Sequence, residues 1–340
     1  MDHAAQLAEC GSTQEAAPMF RILSLDGGGI KGAFTASVLA ALEEDTGCAA
    51  VDHFDLITGT STGGIIAIGL GLGLPARTIC DFYEREGPTI FPGTSLVQRV
   101  EGRLRQLFGP KHSHEVLRAA LGKVLGKRRF GESKCRLVIP TYDAIGGRVF
   151  LMKTAHHERF RYDIEAPAVD VALATSAAPT YFAAAPFPDH ANASYVDGGV
   201  WANCPVMVGI TEAVAFLGAK LEEIDVLSIG TTSTPFNIAE HAGSGIAQWN
   251  AGLVELMFEA QVQSAVAQAG LLLGGRLHRI NVTAREGEFS LDKADVETIR
   301  RLVTLGRGEA VKKANLEVVA SRFLNKQAAP AFVPARALRS

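Results

Sequence analysis

The chain has 340 residues, of which 47% are hydrophobic and 20% charged, with a formal net charge of −3. This composition excludes a globally disordered chain, which needs low hydrophobicity and high net charge, and it argues against a strongly basic surface for nucleic-acid polymers. The 35 glycines follow no period of three, which excludes a collagen-like chain and indicates many tight turns.

Five cysteines are spread along the chain without any C-x-x-C pair. Such a set is typical neither of a disulfide framework nor of a zinc site, so we expect no metal and a reducing, cytoplasmic environment. The N-terminus shows no basic segment followed by an apolar one, so no secretory signal is expected. The longest uncharged apolar stretch, from Ile65 to Ala76, is shorter than the roughly 20 residues that span a bilayer, so any membrane contact is expected to be peripheral.

No linker-like segment divides the chain, so a single domain is predicted over residues 19–325. Residues 1–18 are mostly small and polar and are expected to form a flexible N-terminal tail. Residues 326–340 contain two prolines and no acidic residue, and are expected to form a loose C-terminal tail.

The domain begins with two repeats of strand, glycine turn and helix. The buried-strand run FRILSL (20–25) stops at a glycine turn, and helical spacing of apolar residues follows over 34–44. A second strand, FDLIT (54–58), leads into Gly-Thr-Ser-Thr-Gly-Gly and an apolar helix that starts around Ile65. This order predicts an α/β protein with a parallel sheet.

The later elements are predicted in mixed order. A helix over Arg77–Glu86 precedes a loop with the sequence GPTIFPG (87–93), and two amphipathic helices broken at Gly109-Pro110 follow over Leu96–Leu125. Two strands joined by a hairpin at 144–147 come next. The rest of the chain is predicted as a helix in DVALATSAA (170–178), strands in SYVDGGV (194–200), IDVLSIGT (224–231) and HRINV (278–282), a long helix over 252–273, and one or two helices over 294–324.

The strongest functional signal is the pentapeptide Gly59-Thr60-Ser61-Thr62-Gly63 between a strand and a helix. G-x-S-x-G in this setting is a nucleophile elbow, a tight turn that exposes the serine hydroxyl at the carboxyl end of the sheet. The alternative is a glycine turn that merely contains a serine. The apolar strand before the motif and the apolar helix after it favour Ser61 as a nucleophile.

A second glycine turn, Gly27-Gly28-Gly29 with Gly32, follows Asp26. Its G-x-G-x-x-G pattern is also the fingerprint of a Rossmann-type nucleotide site, which is the alternative function, but the second strand ends without the acidic residue that such a site needs. The motif of a phosphate-binding P-loop does not occur in the chain. The remaining interpretation is an oxyanion hole, in which each backbone N–H donor contributes about 3–4 kcal/mol to stabilising the transition state.

A nucleophilic serine needs a base. His241 and His278 come late enough for a triad in the order serine, acid, histidine, but neither lies in a strand-end loop with glycines. Four earlier histidines have polar neighbours and are expected at the surface: His112, His114, His156 and His157. The better candidate is Asp197 in the strand-end turn YVDGGV, whose alternative role is to cap its own turn.

Three motifs in this order, DGGGIKG (26–32), GTSTGG (59–64) and DGGVWANCP (197–205), are similar to those of the patatin-like phospholipase family. The stretches ALATSAAPTYF (172–182) and LDKADVETIRRLVTLGRGEAV (291–311) resemble the same family, so the resemblance covers nearly the whole chain. It implies a three-layer α/β/α patatin-like fold with a mostly parallel central sheet.

The resemblance also implies the chemistry of the site. Ser61 is implied as the nucleophile and Asp197 as its general base, in a dyad without a catalytic histidine or a cofactor. The implied oxyanion hole consists of Gly27, Gly28, Gly29 and the backbone around Thr62. The implied supporting residues of the motifs are Lys31, Gly32, Gly59, Gly63, Gly198 and Gly199. The third motif of the family commonly ends in Asn-Asn-Pro, whereas Cys204 replaces the second asparagine here, which affects only a supporting hydrogen bond.

The expected reaction is hydrolysis of fatty-acyl esters of membrane phospholipids through an acyl-enzyme on Ser61. The segments GPTIFPGTSL (87–96) and LVELMFEAQ (253–261) are candidates for the wall of an acyl groove, with core packing as the alternative. A catalytically silent storage or scaffold protein on the same fold is a further alternative, which the intact serine and aspartate disfavour.

Two runs, residues 54–76 and 82–92, most resemble bacterial members of the family. Some of these serve anti-phage defence and are activated by cyclic nucleotides such as cyclic GMP–AMP. The implied partners are therefore phospholipid at the inner membrane and a cyclic dinucleotide activator, with no nucleic-acid polymer. Whether the chain forms a homodimer or a higher homo-oligomer is left open.

Overall fold

The computed structural model describes residues 19–91, 112–234, 252–285, 287–325 and 327–339. Several sequence predictions therefore lie wholly or partly outside the described residues. They are the N-terminal tail, the end of the loop over 87–93 and of the segment 87–96, the first helix within 96–125 with its break at Gly109-Pro110, His241, and residues 326 and 340 of the C-terminal tail.

The described chain alternates between strands and helices. The strands are β1 (Phe20–Leu25), β2 (Leu56–Gly59), β3 (Arg136–Asp143), β4 (Arg148–Lys153), β5 (Ala185–Phe187), β6 (Ala193–Asp197), β7 (Ile224–Ile229) and β8 (Leu277–Ile280). The helices are α1 (Gly32–Thr46), α2 (Thr62–Gly71), α3 (Ala76–Ile90), α4 (His114–Leu125), α5 (Ala168–Ser176), α6 (Gly199–Ala202), α7 (Val206–Leu217), α8 (Gly252–Leu273), α9 (Val296–Ala310) and α10 (Lys313–Arg322).

The eight strands of these residues form one sheet in the order β5-β6-β3-β2-β1-β7-β8, with β4 paired to β3. Five neighbouring strands of the sheet run parallel to one another: β3, β2, β1, β7 and β8. Strands β4 and β6 are antiparallel to β3, and β5 is antiparallel to β6. The register pairs Leu25 at the end of β1 with Gly59 and with Ile229. The loops that follow β1, β2 and β7 therefore meet at one edge of the sheet, where parallel α/β proteins bind their ligands.

Hydrophobic clusters cover both faces of the sheet. Leu23 and Leu25 of β1 belong to a large cluster with α1, α2 and α3, whereas the preceding residue, Ile22, belongs to a second cluster with α7 and α8. Because helices cover both faces, the predicted three-layer α/β/α arrangement is confirmed. Among the described helices, none combines the length and the apolar character needed to cross a membrane.

Several element boundaries differ from those predicted. Helix α2 begins at Thr62, directly after the elbow, and not around Ile65. Helix α3 continues through Pro88 to Ile90, so the predicted loop over 87–93 is wrong in its first half. Pro88 has no N–H to donate to the Glu84 carbonyl oxygen, so one helical hydrogen bond is missing there, and the helix ends two residues later at Ile90. The three-residue strand β5 was not predicted, because Ala-Pro-Phe is too short to show alternation.

The C-terminal segment lies against the body of the protein. Residues 327–339 form no helix or strand, but the Ala329 N–H donates to the Asp52 carbonyl oxygen at 2.8 Å and the Ala335 N–H donates to the Ala155 carbonyl oxygen at 2.7 Å. These hydrogen bonds contradict the loose character predicted for this segment. The domain boundary at residue 325 stays a prediction.

Candidate active site

Ser61 lies in a sharp turn between β2 and α2. Its φ of 55° is in the left-handed region, which is unfavourable for a residue with a side chain and is characteristic of strained functional sites. Hydrogen bonds hold the turn, because the Ser61 N–H donates to the Thr175 hydroxyl at 3.1 Å and the Ile65 N–H donates to the Ser61 carbonyl oxygen at 3.0 Å. Ser61 thus occupies the N-terminal end of α2, where the helix dipole favours negative charge.

The glycines of the elbow are required by close backbone packing. A Cβ atom on Gly63 would lie 2.3 Å from the Leu25 carbonyl oxygen, and a Cβ atom on Gly59 would lie 2.2 Å from the Gly63 carbonyl oxygen. A side chain at either position would push the turn away from its neighbours. These contacts explain why the motif has glycine on both sides of Ser61.

Asp197 is the last residue of β6, lies opposite Thr141 of β3 and is only 1% exposed. The Ser61 hydroxyl donates a hydrogen bond to its carboxylate, and the Gly199 N–H donates to its Oδ1 at 2.7 Å. Burial raises the pKa of Asp197 to about 7, although both hydrogen bonds act to lower it. The structure therefore brings together the serine and the aspartate that the sequence analysis singled out.

The two glycines after Asp197 shape its turn. A Cβ atom on Gly198 would lie 2.3 Å from the Pro140 carbonyl oxygen, which closes this position to other residues. Gly199 supplies the N–H that binds Asp197 and begins α6. The carboxylate therefore binds its own turn, as the alternative interpretation held, and binds Ser61 as well.

The glycine loop after β1 contributes unequally to the site. Several of the predicted site residues line one shared pocket: Gly28, Gly29, Ser61, Thr62 and Asp197. Gly27 differs, because its N–H donates to the Asn203 carbonyl oxygen at 2.9 Å. The prediction that Gly27 donates to an oxyanion is therefore corrected, since its amide is already bound within the protein.

The rest of the loop packs tightly on neighbouring segments. Gly29 has a φ of 57°, and a Cβ atom there would lie 2.1 Å from the Leu291 carbonyl oxygen. Gly32 begins α1, and a Cβ atom there would lie 2.0 Å from Oγ1 of Thr62. The Lys31 Nζ donates to the Thr232 carbonyl oxygen at 3.2 Å, so Lys31 faces a different pocket from that of Ser61.

An apolar pocket lies beside Ser61 and Asp197. Apart from the predicted site residues, its wall consists of Ile65, Phe82, Tyr83, Gly87, Ile90, Phe91, Leu117, Ser176, Ala178, Tyr181, Phe182, Phe258 and Leu291. Four of these belong to the two segments that the sequence offered as walls of an acyl groove: Gly87, Ile90, Phe91 and Phe258. No histidine is among the described residues of this wall.

A polar pocket adjoins the apolar one along the glycine loop. Gly27 lines the polar pocket, whereas Phe258 and Leu291 line both pockets. The remaining wall of the polar pocket is mostly hydrophilic: Asp26, Lys31, Asn203, Thr231, Thr232, Ser233, Thr234, Glu259, Val262, Arg279, Asn281, Gly287, Phe289 and Ser290.

Two histidines expected at the surface are buried. His112 is only 8% exposed, and the side chain of His156 is fully buried. Nε2 of His156 lies 3.0 Å from Oε1 of Glu212, while burial lowers the pKa of His156. The surface prediction failed for His156 because this carboxylate, distant along the chain, gives the ring a polar partner in the interior.

Three residues that hold the site were not predicted. The Thr175 hydroxyl binds the Ser61 N–H, the Thr231 hydroxyl donates to the Gly27 carbonyl oxygen at 2.9 Å, and the Tyr83 hydroxyl donates to the Thr62 carbonyl oxygen at 3.2 Å. Threonine and tyrosine are common residues, and no local pattern marks these three. Only their contacts across the fold reveal them.

Comparison with known proteins agrees with these observations. The family model described as patatin-like phospholipase matches residues 23–210. A protein of Pseudomonas aeruginosa named cGAMP-activated phospholipase is 34% identical, covering 94% of this chain and 92% of the relative, and one of the same name from Vibrio cholerae is 32% identical, covering 86% and 91%. Among solved structures, VipD from Legionella pneumophila is 14% identical with a TM-score of 0.44, covering 90% of this chain and 67% of that chain.

The family match includes both the glycine loop and the elbow. The alternative of a Rossmann-type nucleotide site in the Gly27–Gly32 loop is not supported, because the loop is packed against Leu291 and Thr231 and supports the Ser61 turn. The matching model spans more than half of the chain, and the relatives cover most of it. The chain belongs to the patatin-like phospholipase family.

Proposed function

We propose that the protein is a lipid acyl hydrolase that cleaves fatty-acyl esters of membrane phospholipids through Ser61 and Asp197. One observation carries this proposal: the serine hydroxyl is hydrogen-bonded to a buried carboxylate beside an apolar pocket. Serine is a weak nucleophile and needs such a base within hydrogen-bond reach. A base whose pKa is about 7 is suited to accept and return a proton near neutral pH.

In the first half of the reaction, Oγ of Ser61 attacks the carbonyl carbon of the ester while its proton moves to the Asp197 carboxylate. The tetrahedral intermediate then collapses and breaks the bond to the alcohol. The protonated Asp197 returns the proton to the leaving alkoxide, which departs as a lysophospholipid. The acyl group stays on Ser61 as an ester.

In the second half, a water molecule loses its proton to Asp197 and attacks the acyl carbonyl carbon. Collapse of this second tetrahedral intermediate breaks the bond to Oγ of Ser61. Asp197 gives its proton back to the serine oxygen, and a free fatty acid is released. The same carboxylate thus acts as base and acid in turn, and no histidine is needed.

The negative charge of each intermediate needs preorganised donors. Backbone N–H groups of Gly28, Gly29 and Thr62 are the proposed donors, since these residues line the pocket together with Ser61. Each such donor contributes about 3–4 kcal/mol in comparable hydrolases. Thr62 is also the first residue of α2, where an N–H has no partner within the helix.

The apolar pocket is the proposed site of the acyl chain. Its wall supplies aromatic and aliphatic side chains and few polar atoms beyond the reacting residues. Burying an acyl chain there gains about 0.8 kcal/mol per methylene, which favours long chains over short ones.

The central test measures fatty-acid release from phospholipid vesicles by the unaltered chain and by Ser61→Ala and Asp197→Asn. Both variants should lose nearly all activity while keeping the fold, as judged by circular dichroism. Activity that survives either substitution would contradict the proposed roles of Ser61 and Asp197. A soluble short-chain ester run in parallel separates loss of chemistry from loss of vesicle binding.

We also propose that a cyclic dinucleotide activates the hydrolase, as the names of the bacterial relatives say of those proteins. Such control fits a cytoplasmic enzyme that attacks the cell's own inner membrane during anti-phage defence. The purified chain should release little fatty acid until cyclic GMP–AMP is added. Full activity without the nucleotide would contradict this part of the proposal and leave the hydrolase assignment intact.

A further inference from the structure

The polar pocket contains a strained residue that the proposed hydrolysis does not use. Thr232 has a φ of 74°, which is an outlier for a β-branched residue. Its N–H donates to Oδ1 of Asn281 at 3.0 Å, and its carbonyl oxygen accepts from the Lys31 Nζ at 3.2 Å. Two side chains therefore hold the backbone in an unfavourable conformation, which is typical of residues kept in place for ligand binding.

Buried polar atoms in this pocket also lack partners. Thr232 is 4% exposed and Asn203 is 6% exposed, yet neither Oγ1 of Thr232 nor Oδ1 of Asn203 has a hydrogen-bond partner within the described residues. Leaving such a group unsatisfied costs about 1–3 kcal/mol. Both residues line the polar pocket, so a ligand there would find a hydroxyl and an amide oxygen ready to bind.

The remaining wall offers the groups that recognise a nucleotide. Lys31 brings a positive charge into the wall, which suits a phosphodiester, and Phe258 provides a ring of the kind on which bases stack. Glu259 provides a carboxylate, which suits the amino groups of purines and would repel a simple anion. Arg279 brings a second positive charge and is paired with Asp26 at 3.0 Å and 2.5 Å. This mixture fits a purine nucleotide better than a bare phosphate.

The pocket is directly connected to the proposed oxyanion loop. The Thr231 hydroxyl donates to the Gly27 carbonyl oxygen at 2.9 Å, and a Cβ atom on Gly28 would lie 2.2 Å from that hydroxyl oxygen. Thr231 precedes Thr232 in the chain, and Lys31 follows the glycines by two residues. A ligand that moves Thr232 or Lys31 therefore acts on the backbone beside Ser61 within one or two contacts.

We propose that the polar pocket binds the activating cyclic dinucleotide, through Thr232, Asn203 and Lys31, and transmits its presence to the glycine loop through Thr231. This inference rests on the proposed activation and adds its site. A ligand shifts a conformational equilibrium only when its affinities for the two states differ. The proposal therefore requires that the contacts of Thr232 with Asn281 and Lys31 differ between the inactive and the active conformation of the glycine loop.

Binding is measured by calorimetry with cyclic GMP–AMP on chains that carry Ser61→Ala, so that no turnover interferes. Thr232→Ala should weaken binding about tenfold, the usual effect of one lost hydrogen bond to a phosphate or base, and Thr232→Ser should restore it. Ser290→Trp, which places a large ring in the pocket, should abolish binding. Val296→Trp lies at an exposed position outside the pocket and is the matched control.

The same four pocket and control substitutions are then made with Ser61 intact, and fatty-acid release is titrated against the nucleotide. The concentration for half activation should rise about tenfold in Thr232→Ala, in step with its dissociation constant, and should stay unchanged in Val296→Trp. Equal affinity in all pocket variants, alongside activation of the unaltered chain, would overturn the assignment of the site while the proposed activation stands. An unaltered chain that neither binds nor responds would overturn the activation itself.

A phospholipid head group also carries a phosphodiester, so glycerophosphocholine is titrated as a second probe. The proposal expects no competition between this probe and the nucleotide. Head-group binding that Ser290→Trp abolishes, with nucleotide binding untouched by the same substitution, would overturn the proposal and make the pocket part of the substrate site.

Discussion

The hydroxyl of Thr175 accepts a hydrogen bond from the Ser61 N–H at 3.1 Å and donates one to the Pro140 carbonyl oxygen at 2.7 Å. Pro140 belongs to β3, and its carbonyl oxygen also lies against Gly198, directly after Asp197. One side chain therefore ties the backbone of the proposed nucleophile to β3, the strand that pairs with β6, at whose end the proposed base lies. Thr175 is a positioning residue for both.

Thr175→Val removes this link while keeping the shape of the side chain. We expect kcat to fall between about tenfold and hundredfold with little change in KM, because a small displacement of reacting groups is costly. Thr175→Ser keeps the hydroxyl and should retain most of the activity. A Thr175→Val enzyme with unchanged kcat would show that the elbow needs no such support.

The pH dependence of the reaction should follow Asp197. Its pKa of about 7 means that the carboxylate is mostly protonated below neutrality and cannot accept the serine proton. We expect kcat/KM for a soluble ester to fall about tenfold per pH unit below pH 7. A decrease in kcat/KM that begins only near pH 4 would instead indicate a carboxylate with an ordinary pKa. The soluble ester avoids effects of pH on vesicles.

Asp197→Asn should stabilise the protein at alkaline pH while it abolishes activity. Burial raises the pKa of Asp197 to about 7, above the unfolded value, so the stability that the protonated carboxyl contributes is present below about pH 4 and is lost as pH rises through 7. Asparagine carries no charge to bury. The free energy of unfolding of the variant should exceed that of the unaltered chain by up to about 4 kcal/mol at pH 8.

The same comparison at pH 5 is the control. At pH 5 Asp197 is protonated in the folded chain but already mostly ionised in the unfolded chain, so the advantage of the variant should fall to about 1.5 kcal/mol. Burial also raises the pKa of Asp163 to about 7, but Asp163 is present in both chains and its effect cancels. A stability difference that does not change between pH 5 and pH 8 would contradict the assigned ionisation.

Leu117→Phe should change the preference for acyl-chain length. Leu117 on α4 is 3% exposed and lines the apolar pocket, so a larger ring there shortens the space for a chain. We expect the ratio of long-chain to short-chain ester hydrolysis to fall about tenfold. Val116→Phe is the matched control, because Val116 is next to Leu117 on the same helix and is 37% exposed. An equal loss for both chain lengths would point to general damage.

A buried ionic cluster lies away from the proposed active site. Nζ of Lys153 is 2.6 Å from Oε2 of Glu212 and 4.4 Å from the ring centroids of both Phe160 and Phe216. Burial acts to raise the pKa of Glu212, but hydrogen bonds from His156 and Lys153 outweigh burial and lower it. The carboxylate therefore stays charged in the interior because two partners satisfy it.

Glu212→Ala should destabilise the fold without entering the chemistry. Removing one partner of a buried pair leaves an uncompensated charge and costs about 3–5 kcal/mol. Glu297→Ala is the control, because its pair with Arg300 is exposed and is expected to contribute less than about 1 kcal/mol. Chemical denaturation measures both. A loss below 1 kcal/mol for Glu212→Ala would mean that Lys153 finds water or another partner.

The motif-bearing turns were predictable because their causes are local. Gly63 and Gly59 are needed where the chain bends sharply between β2 and α2, and the pentapeptide Gly59–Gly63 shows this requirement directly in its sequence. The strand-end position of Asp197 is equally local. The family resemblance then placed the serine and the aspartate in one site.

The remaining parts depend on contacts between distant segments. Nothing near Gly27 in the sequence indicates that its N–H binds Asn203, and nothing near Thr175 indicates that its hydroxyl binds Ser61. His156 was misplaced for the same reason, since its burial depends on Glu212. The wall of the apolar pocket combines residues from many segments and has no motif.

Phe258 and Leu291 form a shared partition between the apolar and the polar pocket. Because both an acyl chain and a nucleotide would contact this partition, the binding of one can change the affinity for the other, and any such coupling free energy is equal in both directions. An acyl chain that tightens nucleotide binding would do so by the same factor as the nucleotide tightens lipid binding. The nucleotide concentration needed for activation would then depend on the amount of membrane lipid, and the enzyme would be activated at lower nucleotide concentrations where lipid is abundant.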